Sequence, residues 1–114
     1  MHWAWREELR LLYFFMPISI HKPQVLFFYA DWCGPSQAFG PVLERAVEAY
    51  SGQYQATQYF LVDETEEWIL SQHSVLGVPT TVLLGRHQPP KEIARLVGYN
   101  KYSDVLNFLR KGVL

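Results

Sequence analysis

A second cysteine is what this sequence most plainly lacks. Cys33 is the only one among 114 residues, so no internal disulfide can form. Charge of either sign is not in excess: ten Lys and Arg face eleven Asp and Glu, for a formal net charge of −1, and the pI is near 6.4. The electrostatic footprint of a nucleic-acid binder is therefore missing. Four His at positions 2, 21, 73 and 87 fall in separate segments and give no zinc-ligand spacing. No pattern asks for any other cofactor. Long hydrophobic runs are scarce too. The run "LLYFFMPISI" (11–20) is broken by Pro17 and is about half of the ~20 residues a membrane span needs. Glu7 and Glu8 occupy what would be the basic region of a signal peptide, and no small-residue cleavage site follows. The chain reads as soluble and cytoplasmic, with no membrane span; an exported form already processed would look the same.

What is present is core-forming material. Hydrophobic residues make up 49% and aromatics 16%, enough for a core without a metal or disulfide staple. The length suits a single domain over 1–114. Trp5, Leu9, Leu12, Tyr13 and Met16 form a helical stripe over 3–16. "VLFFYA" (25–30) is a continuous apolar run, suited to a strand buried on both faces of a sheet. Residues 34–50 predict a helix with Phe39, Val42, Leu43, Ala46, Val47 and Tyr50 on one side and a bend at Pro41. A second strand is expected at 54–63, and a short helix at 64–73 whose first-turn acids suit the helix dipole. Strands at 78–84 and 92–98 and a helix at 102–112 complete the order α-β-α-β-α-β-β-α. Alternation followed by a hairpin implies an α/β fold, a mixed central sheet with helices on both faces. The acidic run "DETEE" (63–67) is expected to be a solvated helix start rather than a metal site.

The chemistry concentrates in "YADWCGPSQAFGP" (29–41). Cys33 sits where a buried strand turns into a helix. Unpaired N–H groups and the helix dipole favour negative charge there, and the thiolate is the reactive form of a cysteine. Gly34 permits the tight turn, and Pro35 suits an early helix position where its missing N–H is no loss. Asp31 opposes the thiolate, so moderate activation is expected. A buried, inert Cys remains an equal reading of the spacing alone.

The surrounding residues resemble the thioredoxin family. "WCGP" followed by Ser36 is similar to the family's W-C-G-P-C signature with the last position altered. Pro41, eight residues after Cys33, falls where the family has a kinking proline. "LVD" (61–63), "LGVPTTVLL" (76–84) and "LVGY" (96–99) resemble later landmarks in matching order, so the likeness covers about 24 to 112. It implies a thioredoxin fold and thiol–disulfide oxidoreductase activity. Cys33 matches the attacking nucleophile, and Ser36 stands at the resolving cysteine. Trp32, Gly34, Pro35, Val78, Pro79 and Gly98 match the groove that binds a protein disulfide substrate as an extended peptide. Val78-Pro79 is expected to be the one cis bond.

Departures from the family pattern matter as much. Phe27 and Tyr59 stand where many members carry a buried Asp and its Lys partner, a pair tied to proton transfer at the second sulfur. The family's fold opens with a strand before its first helix, whereas this chain is expected to begin at the helix. One sheet edge is then open unless residues 1–20 cover it.

Exchange proceeds by thiolate attack through a mixed disulfide. Serine cannot resolve that intermediate, so it should persist until an outside thiol, glutathione or a reductase, clears it. A lone cysteine at the nucleophilic position is the design of an engineered Cys→Ser trapping form. The alternatives are a natural monothiol protein recycled by glutathione, or a non-catalytic interaction domain in which Cys33 is buried.

Overall fold

The computed structural model describes residues 22–114. The helix expected at 3–16, and the question of what covers the sheet edge, lie outside the described residues. Those residues run in the order β1 (Gln24–Tyr29), α1 (Gly34–Glu48), β2 (Gln58–Leu61), a 3-10 turn (Val62–Glu64), α2 (Glu67–Gln72), β3 (Thr80–Leu84), β4 (Glu92–Val97) and α3 (Tyr102–Val113). The sheet order is β2-β1-β3-β4. β1 pairs parallel with β2 and antiparallel with β3, and β3 pairs antiparallel with β4. The sheet is mixed, as the alternation followed by a hairpin implies.

Because side chains alternate across a strand, β1 feeds two cores. Val25 and Phe27 point to the face covered by α1 and α3, where Phe39, Leu43, Ala46, Val105, Phe108 and Leu109 are buried. Leu26 and Phe28 point to the other face, with Val82, and meet Phe60, Ile69, Leu70 and Val75. This double burial is why β1 has no polar alternation. Phe28 and Phe39 are both fully enclosed, each contributing roughly 1.5–3 kcal/mol of hydrophobic burial.

Two elements are shorter than the sequence pattern implies. β2 begins at Gln58 rather than 54, because Tyr54 leaves the sheet direction. Its ring packs into the α1/α3 core, its hydroxyl donates to the Leu109 carbonyl, and Gln55 N–H goes to the Pro23 carbonyl at 3.1 Å. Gly112 is required opposite: a Cβ there would collide with the Tyr54 hydroxyl. β2 ends at Leu61 because Thr65 Oγ1 donates to the Leu61 carbonyl at 2.7 Å and the chain tightens into the 3-10 turn. α2 is accordingly confined to Glu67–Gln72. α1 runs unbroken through Pro41, whose ring is exposed.

Candidate active site

Cys33 is the N-cap of α1, held there by its N–H to the Ala30 carbonyl at 3.2 Å, and its own carbonyl accepts Gln37 N–H at 3.1 Å. No side chain caps the first turn of α1, no acid occupies it, and Pro35 lies within it. The open N-terminal N–H groups of a 15-residue helix thus start beside the sulfur. The thiol is half-buried, not enclosed, and its Sγ lies 3.8 Å from the Val78 carbonyl oxygen.

Ser36 is different in kind. It is only 2% exposed, and its Oγ accepts the Ala30 N–H at 3.3 Å. That bond satisfies the last residue before the turn, a backbone donor that burial would otherwise leave without a partner. The hydroxyl therefore anchors the end of β1 to the first turn of α1. Gly34 and Pro35, between the two, are exposed.

The structure brings Trp32 and Val78 to one groove with Cys33. Val62, Leu70, Val75, Leu76 and Gly77 complete its lining, and its volume is about 370 Å³. Trp32 stands 69% exposed at its edge, and its indole N–H donates to Asp63 Oδ2 at 2.9 Å. Asp63 thereby fixes the indole. Its position was legible only as the end of a strand. The useful signal is topological: a residue just past β2 must lie beside the loop just past β1, since the two strands are parallel neighbours.

Val78-Pro79 is cis. It is not alone in that, since Gln88-Pro89 is cis as well, in the loop between β3 and β4; a tertiary amide lets any X–Pro bond take either form. Pro79 is buried, and its carbonyl accepts the Gly98 N–H at 2.8 Å. Gly98 has φ +79°, a backbone region that side chains disfavour, which explains a glycine immediately after β4. The eight residues singled out from the sequence thus assemble around the turn and the first helical turn, with Gly98 joined through Pro79.

Phe27 and Tyr59 are direct partners in the β1–β2 register, with ring centroids 6.0 Å apart in an edge-on arrangement. Tyr59 also donates to the Glu44 carboxylate. Burial, then the hydrogen bond to Glu44, push the Tyr59 phenol well above its usual range. Neither side chain can exchange a proton near neutral pH.

Over residues 12–111 the chain matches the thioredoxin family. Thioredoxin of Alicyclobacillus acidocaldarius is 36% identical over 78 residues, covering 68% of this chain and 70% of that protein. Thioredoxin-1 of Saccharomyces cerevisiae is 32% identical over 83 residues, covering 73% and 75%. Among solved structures, thioredoxin-2 of the malaria parasite superposes with a TM-score of 0.69 at 21% identity, covering 79% of this chain and 82% of that one. The chain belongs to the thioredoxin family and has the thioredoxin fold. The family is that of thioredoxin-type thiol–disulfide oxidoreductases. No helix among the described residues is long and apolar enough to cross a membrane.

Proposed function

We propose that this chain performs the first half of thiol–disulfide exchange and stops there. The Cys33 thiolate attacks one sulfur of a protein disulfide. A bond forms between Cys33 Sγ and that sulfur, the original S–S bond breaks, and the departing sulfur leaves with the electron pair and takes a proton from water. The substrate lies as an extended segment along the Val78-Pro79 backbone, with Trp32, Gly34, Pro35 and Gly98 around it. Resolution would need a thiolate at position 36, and a serine hydroxyl ionises far too high to supply one.

The observation that carries this reading is the pairing of an accessible sulfur with an enclosed hydroxyl three residues on. Cys33 opens onto the groove, which argues against an interaction domain with an inert, buried cysteine. Ser36 is sealed and already engaged with Ala30 N–H. The mixed disulfide then persists until glutathione or a reductase attacks it from outside, a step that suits the thiol-rich cytoplasm. A Cys codon at position 36 of the native gene would make the chain an engineered trapping form. A Ser codon would make it a natural monothiol protein.

The test compares the chain with Ser36→Cys, each reduced beforehand and freed of reductant, on a protein disulfide with no other thiol present. The variant should release the substrate as a dithiol, and the parent should accumulate as an adduct visible by non-reducing mass spectrometry and absent in Cys33→Ala. Equal release of reduced substrate by parent and variant would overturn the proposal.

A further inference from the structure

We infer that the segment accepted beside Cys33 carries an apolar side chain next to its reactive sulfur and a Lys or Arg toward the Trp32 side. This rests on the reading of Cys33 as the attacking sulfur, and it names the chemistry of the partner.

The groove itself has no charged lining residue: Trp32, Val62, Leu70, Val75, Leu76 and Val78 wall it. Leu76 is 97% exposed, on the loop leading to Pro79. A leucine left in water at the lip of an apolar groove fits a partner that brings its own apolar group to cover it.

The charge lies around Trp32. Asp31 precedes it in the chain, and Asp63 accepts its indole N–H. Just past Asp63 in the chain, Glu64 and Glu66 line a second cleft with Tyr29 and Tyr59, and Glu67 follows. All five carboxylates are exposed. No Lys or Arg occurs anywhere between Arg45 and Arg86, so the segment from β2 to Pro79 carries no permanent cation of its own. Arg95, which donates to the His73 and Ser74 carbonyls of that segment, is paired with Glu92. Past Gly98 the first charged residue is a cation, Lys101, so the acidity belongs to the Trp32 side. A near-neutral chain thus presents a locally negative field beside its sulfur. Such a field raises encounter rates with a cationic segment and slows an anionic one, and added salt screens it.

The experiment uses the full chain, whose single thiol makes the reading unambiguous. Three extended peptides each carry Leu beside a cysteine held as a mixed disulfide with 5-thio-2-nitrobenzoate, flanked by Lys, Glu or Gly. Cys33 attacks the peptide sulfur and the coloured thiolate leaves with the electron pair, so absorbance follows the new bond. At an ionic strength of about 10 mM the Lys peptide should react about tenfold faster than the Glu peptide. The ratio should shrink several-fold at about 0.5 M salt. Glu64→Gln combined with Glu67→Gln should reduce the ratio at low salt and leave the Gly peptide unchanged. Leu76→Asn should slow the Gly-flanked peptide more than a fourth peptide that differs from it only by Gly in place of the Leu beside the sulfur. Equal rates for the Lys and Glu peptides, or a ratio indifferent to salt, would overturn the inference while leaving the proposed exchange intact. If no peptide reacts faster with the folded chain than with the chain in urea, the exchange reading falls as well, and the two failures are told apart.

Discussion

The two faces of the sheet are fed by the same strand, and among the described residues they bury different numbers of side chains. Toward α1 and α3, β1 contributes Val25 and Phe27 to a cluster of ten buried side chains. Toward α2, it contributes Leu26 and Phe28 to a cluster of three among the described residues, ringed by partly exposed neighbours. The dense face holds α1, and α1 carries Cys33 and Ser36 at its N-terminal end. The sparse face supplies Val62, Leu70 and Val75 to the groove. Among the described residues a polar clasp also ties β4 to the end of α2. Arg95 donates to the His73 carbonyl at 2.6 Å and the Ser74 carbonyl at 3.2 Å, just past α2, and its Nε meets Glu92 at 2.6 Å.

The contrast can be broken or sharpened in order of expected size. Phe39→Ala should cost about 3–5 kcal/mol in urea denaturation, as a fully enclosed aromatic on the dense face, whereas Val75→Ala on the sparse face should cost about 1 kcal/mol. Comparable losses would mean the two faces are equally consolidated. Ser36→Ala should cost about 1–3 kcal/mol, because it strands the buried Ala30 N–H. Its readout is faster amide exchange at Ala30, with Cys33 still able to form adducts. No change in either stability or exchange would show that the Ser36 hydroxyl is not the partner that matters.

The smallest effect is a pH dependence confined to the sparse face. The Arg95 guanidinium beside Glu92 holds its carboxyl below the usual range, and burial lowers His73. Both folded values are depressed, so each contribution is complete above the group's ordinary value. Each is lost as pH falls through its lowered folded value. Acidification should therefore lower the amide-exchange protection factors of α2 and 73–75 before those of α1 or α3. The Glu92–Arg95 pair is partly exposed, so its share should stay below about 1 kcal/mol. Arg95→Ala should remove the carboxylate part of that pH dependence and leave the His73 part. Simultaneous loosening of both faces would contradict the division.

Most of the fold was legible because its signals are local. "VLFFYA" suits a strand covered twice, and the Phe39–Leu43–Ala46 spacing suits one side of a helix facing a core. The positions of Cys33, Pro79 and Gly98 were legible from their motifs. What escaped depends on contacts distant in sequence. Nothing in "SGQYQATQ" says that Tyr54 turns away from the sheet to reach Leu109, which is what shortens β2. Asp63 belongs to an acidic run that reads as solvated, and only its approach to Trp32 across 31 residues distinguishes it from its neighbours. The second cis bond, at Pro89, carried no local signal, since an X–Pro pair alone is compatible with either isomer.

The enclosed serine also changes how the molecule's work should be counted. With one thiol per chain, each round of the proposed exchange would halt at the adduct. The pace of further rounds would then follow the thiol concentration of the surroundings. Occupancy and lifetime of the adduct are then the quantities to measure, in place of a turnover number.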